Sequence, residues 1–146
     1  MDAYDVLWFF SLLSRPFRVR RDRHEIVRAT PETAAVPRFM QILNESLEIM
    51  KNTTNPGTLF SRYDTAVDMA ERILETSFVD AHITYAEEVL DCLLSERDAI
   101  AIDFVNRCNA KGNLRFVKDA ILENDTVFSV EAKIYLLEVL EQGDQS

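Results

Sequence analysis

The sequence predicts an all-α protein, an irregular or orthogonal bundle of five to seven helices. Three observations carry that prediction. Only 3 Gly and 4 Pro punctuate 146 residues, too few for a turn-rich β-sandwich or a glycine loop around phosphate. Hydrophobic residues make up 47 % and charged residues 28 %, the balance of a globular domain rather than a disordered chain. From Pro37 onward the apolar residues recur with helical rather than alternating spacing. A chain of this length buries roughly 70 % of its unfolded surface, so it needs no disulfide or metal staple.

Charge divides the chain. The net charge is −9, yet residues 15–28 (RPFRVRRDRHEIVR) set six Arg against Asp22 and Glu25, a local balance of +4. Asp2 and Asp5 precede them, which leaves −11 on residues 29–146. A body so acidic repels nucleic acid and anionic membrane, so any such contact falls to the arginine segment. Residues 1–30 are therefore read as an apolar helix plus a basic arm, and residues 31–146 as a single helical domain.

Trp8, Phe9 and Phe10 make the first helix apolar almost all round, and such a segment must be buried. It packs either in its own core or across a homodimer. Arg18, Arg20, Arg21 and Arg23 follow beyond Pro16, with Phe17 and Val19 interleaved. Thr30-Pro31 offers a capped helix start and Pro37 a second one.

A helix then runs to about Asn52, with Phe39, Met40, Leu43, Leu47 and Met50 on one face, widened by Ile42 and Ile49. Asn55 caps the next helix, Pro56 takes its first position, and Leu59, Phe60, Tyr63, Ala66, Val67, Ala70, Ile73 and Leu74 carry the pattern to about Thr76. The next begins near Asp80, with Ile83, Ala86, Val89, Leu90, Leu93 and Leu94 inward. No Gly or Pro interrupts residues 80–110, which favours one long helix over a break at Ser95–Asp98, where capping-box spacing offers the alternative. Gly112 suits a left-handed C-terminal cap. A short helix turns Leu114, Val117, Ala120 and Ile121 inward, and Ser129 caps a last helix containing Ile134, Leu137 and Leu140.

The run TTNPGTLFSRYD at 53–64, followed by AIDFVNR at 101–107 and a closing short helical pair, resembles a family of small uncharacterised proteins of Gram-positive bacteria and their phages. That family carries an Asn-Pro-x-Thr-Phe-Phe-Ser-Arg-Tyr-Asp run and a later Asp-Phe-Ile-x-Arg run. The likeness extends over residues 45–140. Leu59 departs from it, standing where an aromatic is usual, and so does the N-terminal arm. It implies a helical fold and a bacterial or phage source, and it carries over no functional residue.

Nothing points to catalysis. His24, His82, Cys92 and Cys108 are the soft or imidazole ligand candidates, and none stand at Cys-x-x-Cys or His-x-x-x-His spacing. No Glu-x-x-His supplies a di-iron bundle. His82 precedes Cys92 by nearly three helical turns, out of reach within one helix. No catalytic, cofactor or metal residue is assigned, and a hydrolase with an unrecognised site ranks last.

The function expected is a non-enzymatic interaction module binding another protein or itself. The alternative is a nucleic-acid-associated protein using the arm, ranked lower because the arm can dock on its own acidic body or on a second subunit. The opening apolar run is too short to span a bilayer and lacks a positive leader, so a cytoplasmic protein is expected.

Arg62 and Asp64 flank Tyr63 and cannot reach each other, because residues two apart on a helix point to nearly opposite sides. Both charges lie at the borders of the apolar face, and Arg62 or Asp64 is expected to pair with the opposite charge of Asp103 and Arg107, which flank Phe104 on a neighbouring helix. A role for Arg62 and Asp64 toward a ligand is the second reading.

Overall fold

The computed structural model describes residues 35–144, which contain six α-helices and no strand. The domain is all-α, as expected. The apolar segment with Trp8, Phe9 and Phe10, the arm with Arg18, Arg20, Arg21 and Arg23, and the start at Thr30-Pro31 lie outside the described residues.

Helix α1 (Val36–Asn52) places Pro37 in its first turn, where a missing N–H costs no intrahelical bond. Met40, Leu43, Leu47 and Met50 form the buried stripe, together with Val36 and Ser46. The chain then turns through Thr53–Asn55. The Asn55 side chain accepts from the Thr58 N–H at 3.1 Å, capping α2 (Pro56–Thr76) with Pro56 at its start. A Cβ on Gly57 would stand 3.3 Å from that capping oxygen, so the glycine keeps the cap uncrowded.

Helix α2 buries Leu59, Tyr63, Ala66, Met69, Ala70 and Ile73. Its main partner is α1, and it also contacts α3 and α5. The small Ala66 and Ala70 carry little side-chain bulk at that packed face.

The long helix expected over 80–110 is two helices, α3 (Asp80–Ser95) and α4 (Arg97–Ala110). Between them Glu96 adopts φ −101°, ψ 21°, close to the sparsely allowed bridge region. Nor does Asp98 close a capping box with Ser95: it accepts the Ser129 hydroxyl at 2.6 Å instead, and no side chain caps α4. A contact 31 residues away thus takes the residue that local pairing would have used. The break lets α4 enter the core. Ala99, Ile100, Ala101, Asp103, Phe104, Val105 and Cys108 are all buried, more than one helix face.

Gly112, at φ 73°, ends α4. Its N–H reaches the Asn109 carbonyl and the Asn113 N–H reaches that of Cys108, each at 3.1 Å. These are the two bonds of a Schellman cap.

Helix α5 (Leu114–Glu123) buries Leu114, Val117 and Ile121, while Ala120 faces outward, a correction to its expected place. The Asn124 side chain accepts from the N–H groups of Val127 and Phe128, folding both apolar residues inward. Phe128 meets Phe60 and Phe104 edge-on, with ring centres 6.0 and 6.2 Å away. Ser129 caps α6 (Val130–Asp144), as expected. There Ala132 and Leu136 are buried, whereas Ile134 and Leu137 remain exposed.

Candidate interaction groove

Arg62 or Asp64 was expected to pair with the opposite charge of Asp103 and Arg107 on a neighbouring helix. Neither does so among the described residues. Asp103 and Arg107 pair with each other, one turn apart on α4. Arg107 also donates to the carbonyls of Met50 at 2.6 Å and Thr53 at 3.2 Å. Carbonyls at a helix C-terminus lack intrahelical donors and carry the negative end of the dipole. Arg107 therefore caps α1 from the opposite side of the core. The neighbouring Cys108 thiol points to the Thr54 carbonyl at 3.5 Å. Burial draws the Arg107 pKa below its ordinary value, although a guanidinium stays charged throughout the working range. Asp103, Arg107 and Cys108 are each engaged within the fold.

Arg62 and Asp64 form no ion pair among the described residues. Tyr63 between them is buried, and its hydroxyl donates to the Leu93 carbonyl at 2.7 Å. This ties α2 to the end of α3. Burial raises the Tyr63 pKa, with Arg97 pulling it down and Asp64 pushing it up. The hydroxyl is thus held as a donor, unsuited to nucleophilic attack.

Asp64 instead stands on the rim of an open groove of about 340 Å³. One wall is α2. Asp64, Asp68 and Glu71 follow at i, i+4 and i+7 and form one stripe, beside Tyr63 and Val67. At 1.5 Å per residue this carboxylate row is about 10 Å long. Leu94 and Arg97, on either side of the α3–α4 break, make the facing wall, with Thr126 at one end. Leu94 was expected inside; it is 59 % exposed.

The charges in the groove differ in what already engages them. Arg97 donates to the Thr126 carbonyl at 3.2 Å. Asp68 pairs with Arg72 at 3.0 Å, both half in solvent, an arrangement worth only about 0–1 kcal/mol. Asp64 and Glu71 form no ion pair among the described residues. Helix α3, which ends at the groove, carries Asp80, Glu87, Glu88 and Asp91 and holds no Lys or Arg.

The thiols are not activated. Burial first, then Asp91, Glu96 and Glu88, push the Cys92 pKa up. Burial takes Cys108 to about 11. A reactive cysteine needs the opposite, an electropositive surrounding that favours thiolate. Among the described residues no group of His, Cys, Asp and Glu is arranged to hold a metal ion, and no helix is long and apolar enough to cross a membrane.

Sequence reasoning placed Tyr63 and Asp64 side by side but missed the groove. Val67 and Leu94 share the apolar period of the core, and Arg97 read as the middle of a long helix. The legible signal was the spacing of Asp64, Asp68 and Glu71 along one line of α2. Compared with protein-family models, curated proteins and solved structures, the chain matches none of them.

Proposed function

We propose that this protein is a helical interaction module whose groove binds a basic, partly apolar segment of protein. The observation that carries this reading is the groove's make-up: apolar Val67 and Leu94 inside a rim where Asp64 and Glu71 have no ion-pair partner among the described residues. Apolar contact supplies affinity, while the carboxylates select charge and speed encounter. A raised Tyr63 pKa and thiols held protonated favour binding over catalysis.

Calorimetric titration of the full-length protein tests this with two synthetic peptides, one alternating Arg with apolar residues and one alternating Glu with the same residues. The basic peptide binds and its binding weakens with salt, while the acidic one does not bind. The combined variant Asp64→Asn, Asp68→Asn, Glu71→Gln loses the basic peptide. Unchanged binding by that variant would remove the groove from the mechanism.

A further inference from the structure

The groove has a candidate ligand within the same chain. Resting on the reading of the groove as a binding site, we propose that it is occupied in cis by the protein's own arginine segment, residues 15–28.

Charge is the first argument. The segment carries +4 against −11 on residues 29–146, and Asp64 and Glu71 lack a partner cation among the described residues. Composition is the second. In an extended segment Arg18 and Arg20 share one face while Phe17 and Val19 share the other. Alternate residues of such a segment lie about 6.6 Å apart. Carboxylates four residues apart on a helix lie about 6 Å apart along its axis. Two arginines separated by one apolar residue therefore match Asp64 and Asp68 while the apolar face meets Val67 and Leu94.

The tether is the third argument. Helices α1 and α2 run antiparallel through the short turn at 53–55, and Arg72 lies over the Phe39 ring, 5.8 Å from its centre. The start of α1 is thus beside the Glu71 end of the groove. Residues 29–35 separate the arginine segment from α1, and seven extended residues reach about 23 Å. That exceeds the carboxylate row of about 10 Å, so Arg28 reaches Glu71 and the preceding arginines continue toward Asp64.

Occupation in cis makes the arm a competitor for any other basic partner, because a short tether gives an effective concentration in the millimolar range. The test titrates a synthetic peptide of residues 15–28 into full-length wild type, into the full-length variant Arg18→Ala, Arg20→Ala, Arg21→Ala, Arg23→Ala, and into that variant also carrying Asp64→Asn and Glu71→Gln. Circular dichroism confirms equal helix content in all three. The arm-neutralised protein is expected to bind the peptide at least about ten-fold more tightly than wild type, with the groove substitutions abolishing the gain. Equal groove-dependent binding by wild type and the arm variant overturns occupation in cis and leaves the groove as a binding site. Binding by neither defeats both readings. Binding that survives the groove substitutions places the peptide elsewhere and overturns the proposal. Sedimentation velocity supplies the remaining outcome: a wild-type dimer that dissociates in the arm-neutralised variant means the arm reaches a second copy, and the cis assignment falls.

Discussion

Arg107 and Arg97 sit on the same helix with opposite fates. Arg107, near the end of α4, is surrounded by acceptors: the Asp103 carboxylate, the carbonyls of Met50 and Thr53, and the Phe104 ring, 5.7 Å from ring centre to guanidinium carbon. Arg97, at its start, bonds the Thr126 carbonyl and lines an open groove. The same contrast separates Asp103, which is 7 % exposed, from Asp64, which faces solvent. Residue type does not set the role. The number of unsatisfied backbone carbonyls within reach does, because a buried guanidinium is tolerated only where its donors are used. Arg107 is closed in by acceptors, whereas Asp64 and Glu71 border an open groove without an ion-pair partner among the described residues.

The largest effect should come from breaking the closed end. Arg107→Ala leaves Asp103 buried without its partner and removes the donors from the end of α1, so it should cost about 3–5 kcal/mol. Urea unfolding of Arg107→Ala, Asp103→Ala and the double variant measures this and should show strong coupling. A loss under about 1 kcal/mol would place Arg107 with the exposed pairs and erase the contrast.

A smaller effect should follow alkaline pH. Burial raises Cys108 from an ordinary value of 9.0 to about 11. The unfolded chain therefore ionises first, and folding gains least where the thiolate is available only to the unfolded state. Its contribution is complete below pH 9 and declines as pH rises from there through 11, by as much as roughly 2–3 kcal/mol. Tyr85, raised by burial to about 12, acts in the same direction at higher pH. Unfolding free energy measured from pH 8 upward should fall in wild type and fall less in Cys108→Ala. An equal slope in both would assign the alkaline loss to other groups.

The smallest effect belongs to the groove. Arg62→Ala and Asp64→Ala should each change stability by no more than about 0.5 kcal/mol, the ordinary range for surface sites. Their coupling with Asp103 or Arg107 should be zero within error. A marked loss at Asp64 would make the groove wall structural and sharpen the comparison against a binding role.

The helix faces were legible because they depend on local periodicity. Met40, Leu43, Leu47 and Met50 are buried where a spacing of three and four places them. The Asn55-Pro56 start and the Gly112 cap were equally readable, since each is a backbone requirement met within a few residues. The break at Glu96 was offered by the Ser95–Asp98 spacing but could not be chosen from it. It contains no Gly or Pro, and its Asp98 is engaged by Ser129 from the start of α6. The exposure of Leu94 follows the same limit, because helical periodicity cannot register a turn made by tertiary contacts.

By itself the sequence determined the all-α class, the stop and start signals of most helices and the contrast in charge between residues 15–28 and residues 29–146. These follow from side-chain period, cap chemistry and composition, all short-range or additive. Tertiary structure alone decided that Asp103 and Arg107 pair within α4 while Arg107 caps α1, and that Asp64 borders a groove. A charge settles where acceptors are left over, and which carbonyls are left over is known only once the helices have packed.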